Sequence, residues 1–143
     1  MYSVFDIANK ILAKAANNEA GDLISNLKLQ KLLYYMQGFH LALFDSPLFE
    51  NEIEAWQYGP VIPEVYHHFK DNGNKGITPT EEIIALNGDE ENLFDSVFSV
   101  YGEYSAVGLM NLTHQESPWL NTQLGDTIDT ELLKSFFKTR ISY

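Results

Sequence analysis

The sequence has no cysteine among its 143 residues. Disulfides, thiolate nucleophiles and cysteine-ligated metals are excluded, and the composition fits a reducing compartment. Bases are scarce, with 9 Lys+Arg against 20 Asp+Glu and a net charge of −11. Residues 1–75 hold six bases and nine acids, residues 76–133 hold eleven acids and no base, and residues 134–143 hold Lys134, Lys138 and Arg140. A surface this acidic repels phosphate backbones, so this chain alone is not expected to bind nucleic acid. It favours a basic protein partner, although acids also simply keep a protein soluble, and both readings stand. No apolar run approaches the roughly 18 residues of a spanning helix. Met1 to Ala8 carries an acid, Asp6, where a signal peptide carries bases. The expectation is a cytoplasmic protein with no membrane contact.

The motifs of common chemistries are missing too. There is no G-x-S-x-G elbow, no P-loop and no G-x-G-x-x-G. No catalytic residue, cofactor or metal is therefore expected. His67 and His68 are adjacent, so on a helix their side chains point about 100° apart and do not share a metal. His114-Gln-Glu116 matches the H-x-E of zinc deaminases only superficially, since the cysteine ligands are absent. A rival reading is kept open: a metal-dependent or hydrolytic enzyme using His114, Glu116 and His67 or His68. Asp71-Asn-Gly-Asn-Lys75 starts like a calcium loop but lacks its Glu, and reads as a turn.

What is present is a core. Hydrophobic residues make up 45% and aromatics 13%, enough for one domain of residues 1–143 without a staple. Ser3-Val-Phe-Asp6 has the form of a capping box, followed by Val4, Ile7, Ala8, Ile11, Leu12 and Ala15 at helical spacing. Asn17 to Gly21 is expected to end this helix. A second helix is predicted from Asn26 to Phe44, with a broad apolar face and Gly38 tolerated by close packing. Residues 52–58 read as a strand, with Trp56 and Tyr58 on its buried face and Gly59-Pro60 stopping it. Val61 to Lys70 suggests a helix, and Ile83 to Leu86 a second strand pairing with 52–58. Further helices are predicted over 89–104, 105–113, near 118–124, and from Asp129 through Phe136 and Phe137 to Ile141. The fold class is mainly α: a single-domain compact helical fold of about six helices with a small two-stranded β element.

Glu50, Glu52 and Glu54 alternate, so on a strand they share one face. That is either a solvated edge that deters edge pairing, the preferred reading, or a docking stripe for a basic partner. Glu90, Glu91 and Asp95 lie close together on a predicted helix and form a candidate acidic docking surface. Tyr34, Tyr35, Trp56, Tyr58, Tyr66 and Trp119 are core residues or interface anchors.

Three blocks then stand out: Leu29-Gln-Lys-Leu-Leu-Tyr-Tyr-Met-Gln37, Ala55-Trp-Gln-Tyr-Gly-Pro-Val-Ile-Pro63 with Tyr66, and Leu112-Thr-His-Gln-Glu-Ser-Pro-Trp119. In this order they resemble the Panacea domain of the SocA-like family, also described as phage-associated GepA-like proteins. The resemblance covers nearly the whole chain. It implies an antitoxin of a toxin–antitoxin pair that neutralises a protein toxin, encoded beside it, by direct contact. A family member also serves as a proteolytic adaptor to the ClpXP protease, so ClpX is a second implied partner; an adaptor without antitoxin role is a further alternative. The motif positions map onto Leu29, Lys31, Tyr35, Trp56, Gly59, Pro60, Tyr66, His114, Pro118 and Trp119, as fold determinants or partner-binding residues. Some members carry a fused DNA-binding domain, for which this sequence has no room.

Overall fold

The computed structural model describes residues 1–17 and 23–141. The expected helix stop over Asn17 to Gly21 lies, beyond Asn17, outside the described residues. Helix α1 spans Val4–Ala16, and the Ser3 hydroxyl accepts from Phe5 N–H as its N-cap. Helix α2 spans Asn26–Phe44, capped by Ser25 at its start and ended by Asp45 at φ 57°. Short strands β1 (Glu54–Trp56) and β2 (Gly59–Val61) follow, then α3 (Pro63–Phe69) and a single 3-10 turn over 70–72. The chain continues through α4 (Gly88–Tyr101), α5 (Ala106–Thr113), α6 (Ser117–Leu120) and α7 (Thr130–Lys138). Among the described residues the protein is thus mainly helical with a two-stranded antiparallel sheet.

Helix α2 is the axis. It packs on α1, α3, α4, α5, α7 and β2. A helix packed on from so many directions is buried over most of its surface, and α2 carries Leu29, Leu32, Leu33, Tyr34, Tyr35 and Met36 closed to water. Gly38 has a direct reason. A Cβ there would stand 2.1 Å from a ring carbon of Phe137 on α7, so the contact is with an aromatic ring rather than a neighbouring backbone. Phe137 also meets Tyr34, Tyr35 and Phe39 edge-on, and Tyr35 stacks on Tyr101 of α4 at 4.0 Å. This aromatic knot ties α2, α4 and α7 together.

The sheet corrects three expectations. The partner of β1 is β2, in the register Glu54–Val61, Ala55–Pro60 and Trp56–Gly59, not residues 83–86. Gly59-Pro60 does not stop a strand but begins one. Gly59 at φ 111° supplies the left-handed residue that closes the Gln57-Tyr58 turn, and so short a loop makes local pairing cheaper than a distant one. Residues 80–86 instead run along α1, where Lys10 Nζ donates to the carbonyl of Ile84 and Asn9 Nδ2 to that of Glu82. The buried face of β1 is also the opposite one: Ala55 is closed to water, Trp56 half-buried and Tyr58 59% exposed. The other edge of β1 is covered. Ala55 N–H donates to Asp126 C=O, Gly125 N–H to Ala55 C=O and Ile128 N–H to Ile53 C=O. That third, strand-like segment has little sequence signal, being Gly-Asp-Thr-Ile.

Candidate functional site

The three motif blocks meet in space, and polar side chains of α2 hold them there. Asn26, Gln30, Tyr34 and Gln37 recur at helical spacing along α2, with Lys31 beside Gln30. Asn26 Nδ2 donates to Tyr66 C=O on α3, and Gln30 Nε2 donates to Asn26 Oδ1. Gln30 Oε1 accepts from Ile62 N–H at 2.8 Å, and Lys31 Nζ donates to Pro60 C=O at 3.0 Å. Pro60 has no N–H, and its carbonyl is taken by lysine, so this edge of β2 is closed off by α2. Gln37 does the same for the next loop, bonding Leu48 N–H and Phe49 C=O.

Lys31 is wholly buried, and among the described residues its one hydrogen bond is to Pro60. Burial without a carboxylate disfavours the ammonium and brings its pKa down to about 7. Its stem passes under the hairpin turn, where a Cβ on Gly59 would stand 2.7 Å from Lys31 Cε and 2.9 Å from Thr113 Oγ1. Gly59 is therefore required both by its φ and by this crossing of α2, β2 and α5.

Glu116 is the second buried ionisable group. It precedes α6, is 5% exposed, and accepts from the hydroxyls of Tyr34 (3.0 Å) and Tyr35 (2.9 Å). Burial raises its pKa, while the two hydroxyl bonds work against that rise. Both tyrosines are themselves pushed up, by burial first and then by the Glu116 charge. The pair Tyr34-Tyr35 thus latches the third block onto the first.

Blocks two and three join at the surface. Trp119 Nε1 donates to Trp56 C=O at 2.7 Å, and His114, which caps α5, donates from Nε2 to Gln57 C=O at 3.1 Å. The His114 ring lies over Trp119 at 4.2 Å. Pro118 is buried in the first turn of α6. On the far side, the Trp56 indole N–H donates to Glu54 and its ring meets Tyr66 edge-on at 5.1 Å. Trp56, Tyr58, Tyr66, Leu27 and Val61 line an open apolar groove of about 370 Å³, with Lys70 at its rim.

Of the motif residues, Leu29, Lys31, Tyr35, Gly59, Pro60 and Pro118 are buried, while Trp56, Tyr66, His114 and Trp119 reach the surface. His114 and Glu116 do not work together: one serves a hairpin carbonyl, the other two core hydroxyls. His67 leans toward Trp56 and Tyr66, and His68 toward Phe5 and Phe69. Among the described residues no group of three or more His, Asp or Glu could hold a metal. No helix there is long and apolar enough to cross a membrane.

Glu90, Glu91 and Asp95 of α4 each have a partner inside the chain. Glu90 bonds Tyr2 OH and His40 Nε2, Glu91 pairs with Lys10 and caps Leu86 N–H, and Asp95 pairs with Lys14. Missed by the sequence reading were Asn26, Gln30 and Gln37. Their signal was present as polar residues at helical spacing within an otherwise apolar helix.

The geometry is a buried polar frame with an aromatic wall outside it. The chain belongs to the family described as antitoxin SocA-like, Panacea domain, which matches residues 29–120 and so spans all three blocks. It is similar to Antitoxin SocA of Caulobacter vibrioides (strain NA1000 / CB15N), at 34% identity over 92% of this chain and 80% of that protein. No solved structure matches this chain.

Proposed function

We propose that the protein is a cytoplasmic antitoxin that neutralises a cognate protein toxin by stoichiometric contact, without catalysis. The observation that carries this reading is the convergence of three motif blocks on an aromatic wall. Their polar atoms are consumed in holding the frame, which leaves side-chain surface rather than reactive groups to act. Trp56, Tyr58 and Tyr66 are of the residue types that anchor interfaces, and they line one open groove. The likeness to a named antitoxin over most of the chain supports the same role. The acidic face of α4, with Glu90, Glu91 and Asp95, then steers a basic toxin toward the protein. Delivery of the bound toxin to a ClpX-type protease is a second stage compatible with this binding.

The test is genetic and biochemical. Expression of the neighbouring toxin gene alone should stop growth, and co-expression of this chain should restore it. Trp56→Ala with Tyr58→Ala should lose the rescue while keeping the wild-type fold by circular dichroism. Full rescue by that folded double variant would overturn the role of the groove.

A further inference from the structure

The aromatic groove differs in charge from the rest of the chain. The protein carries 20 acids against 9 bases. Among the described residues no Asp or Glu lines the groove, and its one charged lining residue is Lys70. Two acids stand near it in sequence without entering it. Glu54 accepts from the Trp56 indole N–H at 2.9 Å, and Asp71 follows Lys70 in the 3-10 turn, but neither lines the groove.

Lys70 is exposed and its amine is uncommitted. Lys10, Lys14 and Lys134 are paired with carboxylates, and Lys28 and Lys31 donate to carbonyls. Lys70 makes no ion pair among the described residues. It keeps helical angles at the end of α3 (φ −59°, ψ −30°), four residues after Tyr66, so the two side chains share one face. The apolar surface beside it is open to a partner: Tyr58 is exposed, and Trp56, Tyr66 and Leu27 are half-buried. Asn26 and Gln30 also line the groove, but their amides are bonded to each other, to Tyr66 C=O and to Ile62 N–H. They hold the floor in place and leave Lys70 as the polar group that can meet a ligand.

We propose that this groove docks a segment of the toxin in which a large apolar side chain stands beside an aspartate or glutamate. The apolar side chain lies against Trp56, Tyr58 and Tyr66, and the carboxylate pairs with Lys70. The inference rests on the antitoxin reading for the identity of the partner and adds the charge of what the groove takes. A carboxylate is repelled by most of so acidic a chain, so the groove fixes where that segment sits, while the acidic face of α4 attracts the toxin at large.

The probe is an acetylated and amidated twelve-residue peptide with a Leu-Phe-Glu core in a Ser/Gly background. It is compared with the same peptide bearing Gln or Lys in place of Glu, each titrated into the full-length ¹⁵N-labelled protein. The Glu peptide should shift the Trp56 indole and the amides of residues 58, 66 and 70, and should bind tighter than the Gln peptide, with the Lys peptide weakest. Lys70→Glu should weaken the Glu peptide about tenfold at low salt and reverse the order. Lys138→Glu makes the same change in net charge away from the groove and should keep the order. No binding of the Glu peptide at millimolar concentration, shifts that map elsewhere, or an unchanged order in Lys70→Glu would overturn the proposal.

In cells Lys70→Glu should protect poorly against the toxin. Among toxin variants with a single Asp or Glu changed to Lys that still arrest growth, one should be neutralised again by Lys70→Glu. Full protection by Lys70→Glu, or no restoring toxin variant, would overturn the groove's charge preference while leaving the antitoxin reading intact. Glu-peptide binding at the groove of a wild-type protein that does not protect would do the reverse.

Discussion

Lys31 Nζ donates to the carbonyl of Pro60 at 3.0 Å from a position closed to water, with no carboxylate paired to it among the described residues. Burial there disfavours the charged form of the lysine. Its amine supplies a hydrogen bond that the proline edge of β2 needs, and its stem fills the space under Gly59.

That arrangement gives stability a pH dependence of known sign. The folded-state pKa is about 7, against an ordinary lysine value of 10.5. Between these values the unfolded chain holds a proton that the folded chain has released, so stability rises with pH. The cost of burial is complete below about 7 and vanishes above the ordinary value. The slope is at most about 1.4 kcal/mol per pH unit, one proton's worth. Tyr34 and Tyr35 act the other way only above pH 10, where unfolded tyrosines ionise. Urea unfolding at pH 7, 8 and 9 should show the rise, and Lys31→Met should abolish it. An equal slope in that variant would place the titrating group elsewhere.

Gly59→Val should destabilise by more than the roughly 1 kcal/mol typical of gentler glycine changes, because φ 111° and a 2.7 Å approach both oppose a side chain. Gly59→Ala should already be harmful, which distinguishes the close approach from bulk alone. Thermal melting of both variants measures this, and wild-type melting of Gly59→Ala would refute it.

Glu116→Ala removes the acceptor of two buried hydroxyls. Each hydroxyl left without a partner costs about 1–3 kcal/mol. Glu116→Gln keeps a carbonyl acceptor and removes a buried charge, so it should lose much less. Denaturant midpoints of the two variants should differ widely; similar losses would show that the carboxylate's charge, not its acceptor role, matters.

The acidic face of α4 should govern association rate rather than residence time. Asp89 and Asp95 are exposed, and Asp95 pairs with Lys14 at the surface. Surface pairs of this kind contribute about 0–1 kcal/mol, so Asp89→Lys with Asp95→Lys should leave the fold intact. The association rate with the toxin should fall several-fold at low salt, and wild-type and variant rates should converge as salt rises. Glu90 is unsuited to this test, since it holds His40 and Tyr2.

The helices were legible because their signals are local. Ser25, Ser105 and Asp129 sit at N-caps beside apolar residues of helical period, and the bounds of α2 follow from sequence alone. The sheet was not. Pairing depends on which segments meet, and Ile83 to Leu86 looks more like a strand than Gly59-Pro60-Val61 does. What made the latter a strand is a two-residue turn, with a lysine from α2 bonding the outward Pro60 carbonyl. The motif blocks were likewise visible as words, but their meeting was not. Trp119 reaches the Trp56 carbonyl across 63 positions, a relation that no periodicity encodes.

The central claim is stoichiometric neutralisation by contact, and titration of purified toxin with purified protein tests it most directly. Toxin activity should fall linearly to zero at a fixed molar ratio, with a complex of that ratio in gel filtration, and should return when the toxin is separated and refolded. Permanent loss of toxin activity at a small fraction of that ratio, with no complex formed, would contradict the account.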